Sequence, residues 1–188
     1  LSRLLSEFLD YSGLGMSAHE TLDIHAVVCE CLLLVKQHPD LKGVEITAIL
    51  DDGPLPLVGD ADLLHRALFN LVLNGAQAAG AGGWVKVTLD HDASRTFPRG
   101  TAIEHPVRLS VSDSGPGIAV SERARIFDPF FTTKRGGSGL GLAVVHRAVD
   151  AHGGATFVDE STEGGAAFVV FLPAHPVGAG VEATGVPS

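Results

Sequence analysis

Asp60-Ala61-Asp62-Leu63-Leu64-His65-Arg66-Ala67-Leu68-Phe69-Asn70-Leu71-Val72-Leu73-Asn74-Gly75-Ala76-Gln77-Ala78-Ala79 reads without interruption as a helix. Leu64, Ala67, Leu68, Leu71, Val72 and Gly75 share one broad face, while Asn70, Asn74 and Gln77 recur at i, i+4 and i+7 on another. Downstream, 85–89 and 107–111 have strand character and are separated by a polar loop containing Pro98 and Gly100. A helix follows at 140–151, stopped by Gly153-Gly154, and then strands at 155–158 and 167–172. Upstream, Ile24, Val27, Val28, Cys31, Leu32 and Val35 mark a helix that starts near Asp23 as N-cap and ends before His38-Pro39. A strand at 44–50 and a turn at Asp51-Asp52-Gly53-Pro54 lie between the two helices. This irregular alternation, with several hairpin-like neighbours, gives an α/β fold: a two-layer sandwich whose mixed sheet is covered on one face by helices.

The ends have a different character. Leu1, Leu4, Leu5, Phe8 and Leu9 follow amphipathic helical spacing, and Gly13 and Gly15 then stop the pattern. That helix calls for a partner helix, and a chain opening at Leu1 rather than Met reads as a segment of a longer protein. Residues 174–188 are rich in Gly, Ala, Pro and Val without periodicity and are expected to form a mobile tail. With 188 residues, 45% hydrophobic and 19% charged, one compact domain with a core is expected and global disorder is ruled out. Thirteen Lys and Arg against 22 Asp and Glu leave a formal charge of −9, the wrong sign for a binder of nucleic-acid backbone. No apolar run approaches the roughly 18 residues of a membrane span, and no signal peptide opens the chain. Two cysteines, Cys29 and Cys31, are too few for a disulfide framework; they read as buried thiols in a reducing, cytoplasmic setting.

Chemistry concentrates in the long glycine-punctuated segment 112–138. It begins with Asp113-Ser114-Gly115-Pro116-Gly117-Ile118, where glycines let the backbone approach a ligand and the Asp offers a carboxylate acceptor suited to the exocyclic amine of adenine. Alone, this hexapeptide is equally consistent with a turn and its capping Asp. The segment ends in Gly136-Gly137-Ser138-Gly139-Leu140-Gly141-Leu142, running into a helix whose first N–H groups and dipole suit phosphate. Lys134 and Arg135 add cationic reach, although a solvated basic pair is the commoner fate of such residues. The amide stripe Asn70, Asn74, Gln77 offers hard oxygen ligands for magnesium, or a plain polar face.

Taken in order, these stretches resemble the catalytic and ATP-binding domain of two-component sensor histidine kinases, within the Bergerat-fold superfamily. The resemblance spans nearly all of residues 1–173. Asn70-Leu71-Val72-Leu73-Asn74-Gly75-Ala76-Gln77-Ala78 is similar to the family's asparagine box, and Asp113 to Ile118 to its first glycine box. Phe127-Asp128-Pro129-Phe130-Phe131-Thr132-Thr133-Lys134 resembles the phenylalanine box, Gly137 to Leu142 the second glycine box, and Phe168 to Pro173 the final strand. The short lid and its Phe-Phe-Thr-Thr-Lys wording are most similar to the nitrogen-regulation type. The resemblance implies that residues 1–15 end the second helix of a dimerisation and phosphoacceptor hairpin, that 16–173 form the catalytic domain, and that the full-length kinase is a homodimer. It implies ATP and magnesium as cofactors, with Asp113 binding the adenine amine, Asn74 giving its amide oxygen to magnesium, and Asn70 facing the phosphates. Gly115 and Gly117 would shape the adenine pocket. Gly137, Gly139 and Gly141, with the N–H of Leu140, would receive the phosphate chain, and Lys134 would be a mobile lid cation taking part in catalysis. Gln77, Ile118, Phe127, Thr132, Thr133 and Ser138 complete the implied nucleotide-binding set, and Phe127, Phe130 and Phe131 would anchor the lid. Two positions depart from the pattern: Gly75 stands where Ala is usual, and Ala167 where many relatives carry a Thr that helps bind adenine through water.

Position 70 also bears on reaction type. Hydrolysing relatives in the superfamily carry a glutamate base there, and Asn cannot take a proton from water. The resemblance therefore implies transfer of the γ-phosphoryl group to a histidine, and onward to a response-regulator aspartate, rather than efficient hydrolysis. His19-Glu20 lacks the Pro-Leu context of a phosphoacceptor box, so that histidine is expected upstream; His146 and His152 are expected to be structural. Two alternatives stand beside this reading: a nucleotide-binding module that no longer transfers phosphate, and a serine-directed anti-sigma-type kinase.

Overall fold

The computed structural model describes residues 20–91, 103, 105–134 and 136–174. The elements run β1 (Glu20–Asp23), α1 (Ile24–Val35), a 3-10 turn (Pro39–Leu41), β2 (Glu45–Leu50), β3 (Pro56–Gly59), α2 (Ala61–Ala79) and β4 (Trp84–His91). Then come β5 (Pro106–Asp113), the single-turn α3 (Val120–Arg123), α4 (Gly141–Ala151), β6 (Ala155–Glu160) and β7 (Ala166–Pro173). Five strands make one sheet in the order β2-β4-β5-β7-β6, with β2 parallel to β4 and the other neighbours antiparallel. This is the mixed sheet expected from the sequence. Its one parallel pair needs a long crossover, which β3 and α2 supply.

Alternation along the strands decides what the helices cover. Val85, Val87 and Leu89 of β4 and Val107, Leu109 and Val111 of β5 are buried in one cluster with Leu64, Leu68, Leu71 and Val72 of α2 and Val145 and Val149 of α4. β7 is buried on both faces. Phe168, Val170 and Leu172 join the helix-side core, while Val169 and Phe171 pack with Ile103 and Phe157 on the other side. α2 lies between α1 and α4 and packs on both.

α1 and α2 both start at an aspartate, and Asp23 is the N-cap expected from the sequence. Asp23 Oδ1 accepts from the N–H groups of His25 (3.1 Å) and Leu55 (2.8 Å), and Asp60 Oδ1 from that of Leu63 (3.0 Å). Four elements differ from the sequence reading: β1, β3, β5 and α3. β1 and β3 form a two-stranded antiparallel ribbon, Glu20 opposite Gly59, and four residues are too few for alternation to register. β5 runs on to Asp113, and α3 lies inside the segment read as loop. Of the two cysteines, only Cys31 is fully buried, its thiol pushed up to about 12, whereas Cys29 is half-buried beside His25. The helix expected at 1–9 and residues 175–188 of the tail lie outside the described residues. Ala174, assigned to that tail, is buried and donates its N–H to the carbonyl of His105, so the packed unit reaches one residue past Pro173.

Candidate functional site

β5 ends at Asp113, and the alternation that turns Val107, Leu109 and Val111 to the helices turns its carboxylate the same way, leaving it 2% exposed. Gly75 of α2 lies over it: a Cβ there would sit 3.4 Å from Asp113 Cβ and 3.4 Å from Val85 Cγ2. Asp113 Oδ1 accepts from the N–H groups of Gly115 (2.8 Å) and Ala166 (3.4 Å). Both described bonds fall on Oδ1, which leaves Oδ2 as the acceptor for the cleft that Asp113 lines. Burial pushes this carboxyl above the usual carboxylate range, opposed by the two N–H bonds and the charge of Lys134.

A second group forms where α4 begins against the amide stripe of α2. A Cβ on Gly141 would lie 3.1 Å from Asn70 Oδ1 and 3.4 Å from Asn74 Nδ2, so glycine lets the start of α4 sit against these amides without displacing them. Asn70 Nδ2 donates to the Arg66 carbonyl (3.0 Å), which turns its oxygen toward α4. No side chain caps the N-terminus of α4, whose first residues open on the cleft, and the Leu140 N–H is met by the Ser138 hydroxyl at 3.3 Å. Lys134 reaches across from the lid. Its Nζ donates to Asn74 Oδ1 (3.0 Å) and Gln77 Oε1 (2.9 Å), with a longer contact to the Asn74 carbonyl (3.5 Å). Burial lowers this ammonium's pKa and the Asp113 charge raises it. Oxygens from Asn74 and Gln77 thus already converge on a cation, and they are the hard, neutral donors that magnesium accepts.

The lid is anchored at both ends. Phe127 packs on Phe168 (6.4 Å between ring centroids) and on the His146 ring (5.5 Å), and the Arg125 guanidinium lies over Phe131 (4.6 Å). Phe130 takes a left-handed backbone (φ 67°) and donates its N–H to the Gly139 carbonyl (3.0 Å). Gly139 is itself left-handed (φ 69°), and a Cβ there would run into the Phe130 backbone.

Residues 59–176 match the family described as histidine kinase-, DNA gyrase B- and HSP90-like ATPases. The chain belongs to this ATPase family. Sensor histidine kinase ZraS of Escherichia coli O157:H7 is 35% identical over 175 residues, which cover 93% of this chain and 36% of that protein. A mycobacterial sensor histidine kinase MprB structure matches with a TM-score of 0.68 at 33% identity, covering 84% of this chain and 99% of that one. A third, histidine kinase ThkA in complex with response regulator protein TrrA, matches with a TM-score of 0.71 at 25% identity over 94% of this chain and 48% of that one. The chain spans about a third of the length of ZraS. It is homologous to the ATP-binding catalytic domain of these kinases.

Against the ATPase family's boxes, the structure gathers the expected residues around one open cleft of about 1370 Å³. Asn70, Asn74, Gln77, Asp113, Gly117, Ile118, Thr132, Thr133, Lys134, Gly137, Ser138, Gly139, Leu140 and Gly141 all line it. Gly115 and Phe127 do not. Gly115 packs against Ala78, where a Cβ would lie 2.8 Å from backbone carbon, and acts through its bond to Asp113; Phe127 faces the core. Sequence reasoning missed Ala166, Phe168 and Ile126 in the lining, and the rim formed by His38, His65, Arg66 and Phe69. Arg66 stands one helical turn before Asn70 on the same stripe, so extending that stripe by four residues finds it. Ala167 requires a correction. It pairs with Ser112, so alternation turns it to the far face, and Ala166 beside Asp113 is the residue that meets the cleft. His146, expected to be structural, pairs with Asp150 (3.1 Å).

Proposed function

We propose that this chain is the ATP-binding catalytic part of a sensor histidine kinase, which transfers the γ-phosphoryl group of ATP to a histidine imidazole on its own dimerisation hairpin. From there the group would pass to a response-regulator aspartate, and the whole kinase would act as a homodimer. One observation carries the reading. The phosphate end of the cleft is formed by Asn70, Asn74, Gln77, Lys134 and the open start of α4, a set of amides, a cation and N–H groups, while the carboxylates in the described lining, Asp113 and Glu122, come from the end of β5 and from α3. A site that hydrolyses ATP needs a base for water, whereas a neutral imidazole attacks phosphorus without one. The relatives named sensor histidine kinases support the same assignment.

In this reading Asp113 Oδ2 accepts from the adenine amine and orients the nucleotide along the cleft. Asn74 Oδ1 would hold magnesium, which when bound neutralises charge on the phosphate oxygens, and Asn70 would face the phosphates at the start of α4. The first N–H groups of α4 receive the phosphate chain, and Lys134, released from Asn74 and Gln77, turns to the transferring group. The bond from γ-phosphorus to the bridging oxygen breaks, a phosphorus–nitrogen bond forms, and ADP leaves.

The test is the fate of γ-labelled phosphate when the chain is incubated with magnesium, ATP and a separately made hairpin bearing the histidine. Acid-labile label on the hairpin is the expected result. Acid-stable label on a serine substrate would favour the serine kinase, and label left on ATP with nucleotide bound would favour a module without transfer.

A further inference from the structure

His152 ends α4 at the opposite end from the phosphate site, is 7% exposed, and is spent on two backbone groups. Its Nε2 accepts from the Asp60 N–H (2.9 Å), and its Nδ1 lies 2.7 Å from the Ala148 carbonyl. An Nε2 that accepts from an amide carries no proton, so the ring is neutral with its proton on Nδ1, donated to Ala148. The ring also fills the space over Gly59, where a Cβ would collide with it. Asp60 is the N-cap of α2 and His152 the C-cap of α4, so this ring joins the start of one helix to the end of the other.

At the far end of the interface that the two helices share, Asn70 meets Gly141. They therefore run antiparallel, and the lengths agree: ten residues from Asp60 to Asn70 rise about 15 Å, and eleven from His152 back to Gly141 about 16 Å. Slipping either helix by one residue would part the amide stripe from the N–H groups of α4. Asp113, on the sheet, would not move with them.

We propose that His152 is a positioning residue, whose hydrogen bond to the Asp60 amide sets the register of α2 against α4 and so assembles the phosphate half of the nucleotide site. This rests on the nucleotide-binding reading above. The two nitrogens can be tested separately. In His152→Gln the side-chain oxygen reaches the place of Nε2 and can accept from Asp60, whereas His152→Asn keeps only the donor to Ala148.

Calorimetry with adenosine and with ADP plus magnesium reads the outcome. His152→Ala and His152→Asn are expected to weaken ADP about tenfold or more while adenosine changes less than about twofold, and His152→Gln to recover most of the ADP affinity. Gly59→Ala, which displaces the ring from the α2 side, is expected to show the same split. A ring that only caps its own helix predicts the reverse order, Asn better than Gln. That order, or equal losses for adenosine and ADP, would overturn the proposal. A wild-type chain that binds neither compound would instead overturn the nucleotide reading itself.

Discussion

In the proposed reading the two carboxylate oxygens of Asp113 have separate tasks, Oδ1 holding the loop and Oδ2 meeting adenine, and the Asn variant separates them. In Asp113→Asn the oxygen stays with the N–H groups of Gly115 and Ala166, so the new NH2 points at the adenine amine, donor against donor. Adenosine affinity is expected to fall by about 2 kcal/mol, roughly thirtyfold, by calorimetry. The pH dependence has a definite sign. Burial raises the carboxyl above 3.8, so lowering the pH through the interval above that value protonates Oδ2 and weakens adenosine binding, a decline absent from Asp113→Asn. For stability the same group works in the other direction: the unfolded carboxyl ionises first, so this contribution to stability falls as the pH climbs through that interval. Gly75 gives an opposite kind of test. A Cβ at 3.4 Å from its two nearest neighbours is accommodated, so Gly75→Ala is expected to raise stability by about 1 kcal/mol, seen as a higher urea midpoint with unchanged slope.

Among the elements, the lid and the start of α4 act as a unit. Gly139→Ala forces a Cβ into the Phe130 backbone from a left-handed position, so the lid must leave α4; ADP affinity is expected to drop while adenosine affinity holds. Lys134→Ala frees the oxygens of Asn74 and Gln77, so less magnesium is expected to give half-maximal ADP binding while phosphoryl transfer slows, both read from a magnesium titration. These elements were legible because their chemistry is local: glycines before a helix, amides at helical spacing, a carboxylate at a strand end. β7 was legible as a strand but not in its facing. Residues Ala166 to Leu172 are buried on both sides, so the run has no alternation, and only pairing with β5 shows that Ala166 rather than Ala167 meets the cleft. The β1–β3 ribbon was hidden for a related reason, since its two short strands are defined by partners more than thirty residues apart.

For the whole molecule, ligand binding and folding are linked. ADP at about a hundred times its dissociation constant is expected to add about 2.7 kcal/mol to stability, raising Tm in a thermal scan. The further increment from magnesium is expected to vanish in Asn74→Ala while the magnesium-free increment remains. The sheet that carries Asp113 is not equally secure across its width. β2 is an edge strand whose neighbour in the sheet is β4, and the chain reaches β4 only after laying down β3 and the full length of α2. It is therefore paired on one side alone, whereas β4 and β5 are paired on both, and Ile49 on it stays 61% exposed. In hydrogen–deuterium exchange its amides are expected to open at a lower free energy than those of β4 and β5, so this edge can let go while the strand that carries Asp113 stays closed.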